Sequence, residues 1–121
     1  DFSPDGKYLA TSDSLNGIVL WRLADRTLLT RVDLRPLSTF RFAFGGRWLV
    51  AASAHGRIVA IDIETGQQRE LAKDAQQIPS MNFSSDGRLV ATAGIDGVVR
   101  VFDLESGNQR HRLRSRAGVL V

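Results

Sequence analysis

Apolar residues in this chain come in short, unbroken runs separated by turn-forming residues. The clearest are YLATS (Tyr8 to Ser12), WLVAA (Trp48 to Ala52) and LVATA (Leu89 to Ala93). Each is too brief for an independent helix and is bounded by turn residues, so each predicts a strand. The runs are apolar without alternation, which predicts strands covered on both faces. A second β-rich run follows each of them: LNGIVLWRL from Leu15, HGRIVAIDI from His55 and DGVVRVFDL from Asp96. His55-Gly56 and Asp96-Gly97 are tight-turn dipeptides, because glycine accepts the positive φ of primed hairpin turns. Asn16, which also tolerates the left-handed region, takes that place in the first segment. A third strand follows another turn, as in ETGQQREL from Glu64 and ESGNQRHRL from Glu105. There Gly66 and Gly107 are equivalent and Arg26 stands in their place earlier. LSTFRF (Leu37 to Phe42) and IPSMNF (Ile78 to Phe83) supply a fourth strand. No segment keeps apolar spacing of three and four residues, so no helix is predicted.

The elements recur as a unit. FSPDGKYLA, FAFGGRWLVA and FSSDGRLVA begin at Phe2, Phe42 and Phe83, 40 and 41 residues apart. This spacing divides the chain into repeats over approximately 1–41, 42–82 and 83–121, each a four-stranded antiparallel meander. A sheet apolar on both faces is not stable alone, and radial stacking of such sheets makes a β-propeller. The expected class is therefore all-β, with three four-stranded blades. A closed ring has roughly four to eight blades, so three are expected to be part of a larger ring. The chain opens at Asp1 inside the motif. Joined end to start, Val121-Asp1-Phe2 falls in frame with Met81-Asn82-Phe83, which leaves the first unit without its inner strand. Expressed alone, such a segment is expected to aggregate or to pair into a closed ring through its uncovered faces.

The order Phe83-Ser84-Ser85-Asp86-Gly87, then Asp96-Gly97, then Val101-Phe102-Asp103 resembles a WD repeat of the β-transducin type. The resemblance runs through all three units, although the signature dipeptide reads Trp21-Arg22, Ile61-Asp62 and Phe102-Asp103. No unit carries the family's Gly-His pair, and only Asp96 matches its turn Asp. The family's Trp, Ser or Thr, Asp and His tetrad is therefore incomplete, which implies degenerate WD repeats relying on apolar packing. The resemblance implies a protein-interaction scaffold.

Composition narrows the chemistry. The 121 residues include no cysteine, which excludes disulfides and thiolate metal sites. No run of about 18 apolar residues predicts a membrane span, and the residues from Asp1 onward do not show the basic-then-apolar pattern of a signal peptide. A cytoplasmic protein is the expectation. Fourteen of the sixteen basic residues are Arg, only Lys7 and Lys73 being Lys, which points to a GC-rich bacterial genome. His55 and His111 fall in different units, and nothing is spaced as a zinc set. No nucleophile elbow, phosphate loop or dinucleotide fingerprint occurs. Asp5, Asp86 and Asp96 precede glycine in predicted turns and read as turn formers. The sequon Asn82-Phe83-Ser84 lies in a predicted inner strand. RHRLRSR, from Arg110 to Arg116, could grip phosphates. It falls on a predicted outer strand, where charge discourages edge aggregation. No aromatics interleave it for base stacking, which counts against nucleic acid.

Two classes of function remain. One is a non-catalytic propeller on which partner proteins dock, with no cofactor or metal. The other is an enzymatic propeller such as a lactonase-like hydrolase, which needs convergent carboxylates or histidines lining a channel. The inner strands offer Ser38, Arg41, Ser80 and Asn82 instead, favouring the scaffold. Loops on one rim supply the candidate partner-binding residues: Arg35, Lys73, Gln76 and Gln77 from the connections, with Ser14, His55 and Ile95 from the middle turns. Arg35 and Lys73 predict an acidic partner segment.

Overall fold

The computed structural model describes residues 1–13, 17–34, 36–73 and 80–114. Among them every regular element is a strand. In chain order they are β1 (Tyr8–Asp13), β2 (Gly17–Arg22), β3 (Thr27–Val32), β4 (Leu37–Phe42), β5 (Trp48–Ser53), β6 (Ile58–Asp62), β7 (Gln68–Ala72), β8 (Ser80–Phe83), β9 (Leu89–Ala93), β10 (Val98–Asp103) and β11 (Gln109–Arg114). They form three antiparallel sheets with orders β1-β2-β3, β4-β5-β6-β7 and β8-β9-β10-β11. The sheets are offset from the sequence repeats by one strand. β4 closes the first repeat yet pairs with β5, Phe42 opposite Leu49. The first sheet has three strands. Where a fourth would lie, Asp1 and Phe2 run beside β1 through a single Phe2–Leu9 bridge, and the Ala10 N–H donates to the Asp1 carbonyl at 2.8 Å.

The middle sheet forms the centre of the core. Every residue of β5 and β6 is buried. Strand alternation sends Leu49, Ala51, Val59 and Ile61 toward Ile18 and Leu20 of the first sheet. Trp48, Val50, Ala52 and Ile58 go the other way, toward Met81, Val90 and Phe102 of the third. Full burial of a side chain the size of Leu49 or Ile61 contributes roughly 1.5–3 kcal/mol. Two-faced burial was expected of all three apolar runs, and only the middle one has it. In β1, Thr11 to Asp13 are exposed, and in β9 Leu89, Ala91 and Ala93 are half-buried. Each outer sheet has a packed neighbour on one face only among the described residues.

Side chains hold the turns. Ser3 donates its hydroxyl to Asp5 at 2.6 Å and Asp5 accepts the Lys7 N–H at 2.9 Å. Ser84, Asp86 and Arg88 repeat this geometry in the third sheet. Asp96 accepts the Val98 N–H at 3.1 Å. The turn-forming role expected of these three aspartates is thus what the structure shows. The equivalent turns at Gly66 and Gly107 have φ of 75° and 77°, and Arg26 in the matching position takes φ 60°. It is the one non-glycine in the left-handed region among the described residues, so the repeat imposes the conformation and not the residue.

Hydrogen bonds also tie the sheets to one another near both edges. On the first-strand side Phe42 N–H donates to Asp1 Oδ2 (3.2 Å), and Arg41 Nη1 donates to the Met81 carbonyl (3.2 Å). On the last-strand side Gln68 Nε2 donates to the Arg31 carbonyl (3.0 Å), and Arg69 Nη1 to that of Leu104 (3.2 Å).

Candidate interaction surface

Because successive strands reverse direction, the connections alternate between two rims. The upper rim carries the β5–β6 and β9–β10 turns and the connections leading into β4 and β8. The lower rim carries the β4–β5, β6–β7, β8–β9 and β10–β11 turns. Of the predicted surface residues, His55, Lys73 and Ile95 are described and all three fall on the upper rim. Arg35, Gln76, Gln77 and Ser14 lie outside the described residues.

His55 is exposed at the tip of its turn, but Ser53 closes that turn. The buried Ser53 Oγ accepts the N–H groups of His55 (3.2 Å) and Arg57 (3.1 Å). The imidazole is thereby left facing solvent. Ile95 is 63% exposed in the matching turn of the third sheet, an apolar side chain carried by a polar loop. Lys73 follows β7 with its ammonium 3.9 Å from Glu70, which also receives Arg57 Nε at 2.8 Å. No recorded bond joins His55, Lys73 and Ile95; the rim collects them without making one pocket.

Sequence reasoning missed a groove on the lower rim between the middle and third sheets. A cavity of about 500 Å³ is lined by Arg47, Trp48, Asp62, Gln67, Arg69 and Glu105, among others. A second, of about 350 Å³, shares Arg47, Trp48 and Glu105 and continues to Phe44, Asp86 and Arg88. Arg47 spans the seam, with Nη2 3.3 Å from Asp62 and Nη1 3.2 Å from Glu105. Its guanidinium also lies 5.4 Å from the centre of the Trp48 ring. The hydrogen bond that Arg47 donates to Asp62 and the charge of Glu105 push the Arg47 pKa up. A signal existed in the repeats: Lys7, Arg47 and Arg88 keep one basic position, and Glu64 and Glu105 keep one acidic one.

The carboxylates of this rim are committed to structure. Asp62 Oδ1 accepts the Glu64 N–H at 3.0 Å, and Asp103 Oδ1 that of Ser106 at 3.0 Å. Bonds from Ser84 and the Arg88 N–H hold Asp86 below the ordinary carboxylate range. The Ser106 N–H does the same for Asp103, aided by the charges of Arg88 and Arg110. Arg22, bonded to Asp25 at 2.8 Å, holds that carboxyl well below its usual value. Such groups stay ionised near neutrality. Among the described residues no three His, Cys, Asp or Glu side chains gather as a metal set, and no helix is long and apolar enough to cross a membrane.

Of the inner-strand residues considered for a channel, Arg41, Ser80 and Asn82 are exposed and Ser38 is half-buried. Arg41 turns onto the neighbouring sheet, 6.0 Å from the centre of the Phe83 ring. Asn82 Oδ1 accepts the Phe83 N–H at 3.1 Å. The basic run lies where expected as far as Arg114: β11 is an outermost strand and exposed throughout.

Three such sheets, stacked face to face with their turns on two rims, define a segment of a β-propeller. The profile of the family described as outer membrane protein assembly factor BamB matches residues 5–120. The chain belongs to that family of PQQ-repeat propellers. No curated protein matches the sequence. Among solved structures, the chain is similar to hydrazine synthase of Kuenenia stuttgartiensis, with a TM-score of 0.76 and 19% identity. The match covers 95% of this chain and 34% of that one, so the chain spans about a third of that protein's length.

The family match overturns the WD-repeat resemblance. Period and turn order report a four-stranded sheet stacked radially, which both families build; they specify the architecture and not the lineage. The structure shows what the remaining positions of the signature do. Asp62 and Asp103, at the second position of the signature dipeptide, accept N–H groups of the turn that follows them. Trp21 donates to Thr11 at 3.3 Å, one link of a tetrad whose histidine the sequence lacks.

Proposed function

We propose that this propeller segment is a non-catalytic scaffold whose upper rim docks partner proteins. The observation that carries this reading is Ile95, an apolar side chain held 63% exposed on the upper rim, where His55 and Lys73 are exposed as well. An exposed apolar side chain within a polar rim is suited to become the buried centre of an interface. Asp86 and Asp103 on the lower rim support a scaffold over an acid–base catalyst, since hydrogen bonds from Ser84 and from turn N–H groups, with nearby arginines, hold them ionised. The description of the family as an assembly factor agrees with a docking role.

The test is capture of a partner from the source organism with the full-length protein, followed by affinity measurements on variants. Ile95→Glu is expected to weaken binding by about tenfold or more, the scale of a central interface anchor. Lys73→Glu and Arg35→Glu are expected to slow association and flatten its salt dependence. If these changes leave binding untouched while Glu64→Lys on the lower rim weakens it, the docking face is the other rim. Hydrolysis of a lactone panel that His55→Ala abolishes would replace the scaffold with an enzyme.

A further inference from the structure

The arginines of the basic run recur at every second residue, and Arg110, Arg112 and Arg114 lie in β11. Arg116, the next of them, lies outside the described residues. β11 is the outermost strand of the third sheet, so one edge of its backbone has no strand beside it among the described residues. Register separates the three arginines. Gln109 stands opposite Phe102 and His111 opposite Val101, which makes Arg110 the extra residue of a bulge. Its guanidinium turns back to Asp103 at 3.2 Å. Arg112 and Arg114 stand opposite Arg100 and Val98, on one face and about 7 Å apart. Arg100 is paired with Asp96 at 3.7 Å, and among the described residues Arg112 and Arg114 meet no carboxylate. Both are exposed. They share the face of Phe102, which the middle sheet already covers. A further sheet packed on the opposite face, that of Val99 and Val101, would therefore leave them open to solvent.

The repeat does not require this charge. The outer strand of the middle sheet, β7, balances Arg69 with Glu70, whose carboxylate receives Arg57 at 2.8 Å. In the first sheet β3 carries Arg31 alone. Charge on an outer strand deters pairing with a like copy. It does not deter a strand of opposite sign, because opposite charges facing each other across a ladder stabilise it and like charges weaken it. Arg112 already faces a like charge, Arg100, on its β10 side. An acidic residue on its free side would offset that repulsion.

We propose that β11 is a docking edge for an extended acidic segment of a partner protein, which adds to the third sheet as a further strand. Spacing selects this occupant. An added strand has the same two-residue repeat as β11, so Asp or Glu at alternate positions fall opposite Arg112 and Arg114. The residues between them meet His111 and Leu113, the latter apolar and 56% exposed. Main-chain hydrogen bonds to the free edge supply affinity, and the alternating side chains supply the choice of partner. The edge lies on the outside of the sheet, apart from the Ile95 turn on the upper rim, and stands without it.

The test uses the full-length protein and fluorescein-labelled, amidated peptides read by anisotropy. Gly-Glu-Val-Glu-Val-Glu-Gly is compared with its Gln counterpart and with Gly-Glu-Glu-Glu-Val-Val-Gly, which keeps the composition and charge but loses the alternation. The alternating peptide is expected to bind about fivefold or more tighter than either control at low ionic strength, with a smaller advantage over the Gln peptide as salt rises. Arg112→Glu with Arg114→Glu is expected to lose that preference and to favour Gly-Lys-Val-Lys-Val-Lys-Gly, while melting close to the parent because both side chains are exposed. Should the reversed pair fail to fold, Arg112→Gln with Arg114→Gln is expected to lose the Glu preference without gaining one for Lys. Equal affinity for the alternating and block peptides, or either double variant keeping the Glu preference, overturns the docking edge. So does binding of a thymidine oligonucleotide or of phosphatidylglycerol vesicles as tight as that of the alternating peptide, which would make β11 a general polyanion surface. Partner capture that depends on Ile95 with no preference among the peptides sinks this inference and leaves the upper rim standing. A peptide preference with no such dependence does the reverse.

Discussion

The turn glycines of the repeat allow the contact between neighbouring sheets to be weighed in isolation. Gly46 and Gly87 occupy the same repeat position with φ of 73° and 74°. Placing alanine at either costs about 1–2 kcal/mol for the left-handed backbone alone. Their surroundings differ. A Cβ on Gly46 would lie 3.6 Å from Pro4 Cδ, an ordinary contact. A Cβ on Gly87 would overlap the carbonyl oxygen of Phe44 in the adjacent sheet and come within 3.1 Å of its carbon. That obstacle is backbone and cannot swing aside, so the lower-rim seam must open, adding about 1–3 kcal/mol as overpacking does. Gly46→Ala should therefore cost about 1 kcal/mol and Gly87→Ala about 3 kcal/mol. With a urea slope of about 2 kcal/mol per molar, the midpoints fall by about 0.5 M and 1.5 M. Equilibrium urea unfolding of both variants reads the difference directly. Equal losses would refute the reasoning, because they would mean that the two sheets do not meet at Phe44 and Gly87.

Arg26→Gly should raise stability by about 0.5–1 kcal/mol, since relief of its positive φ outweighs the greater freedom of glycine in the unfolded chain; a lower melting temperature would count against the strain. Stability should hold from neutrality to about pH 4 and fall below it. The sign follows from Asp5, Asp86 and Asp103, whose folded pKa values are depressed, so their contribution is present above the unfolded value and lost as pH falls through the folded one. Urea midpoints measured against pH check this, and Asp86→Asn should make the acid loss shallower. Arg47→Ala should lower the urea midpoint only slightly despite its two ion pairs, because the side chain is 46% exposed and screened; a large drop would mean that the pairs hold the seam. The 121-residue segment expressed alone should self-associate through the half-buried face carrying Val99 and Val101, and Val101→Arg should reduce that association by light scattering. A stable monomer would remove the premise.

Much of the architecture was written along the chain. The 40- and 41-residue spacing of FSPDG, FAFGG and FSSDG fixed the number of units, and the apolar runs fixed which strands are central. Both signals are local: a turn needs its glycine, and a strand needs its β-rich run, wherever the unit stands. Even the exception at Arg26 follows the repeat, since the turn geometry outlasts the loss of its glycine. The family was less legible, because turn order is shared by propellers of different descent while the WD signature rests on side chains absent here. Tertiary structure alone decided what passes between units. Burial on both faces belongs to the middle sheet because, among the described residues, only it has two neighbours, a property no single repeat encodes. The groove around Arg47 joins Asp62, 15 residues away, to Glu105, 58 away, across a seam that exists once the sheets are stacked.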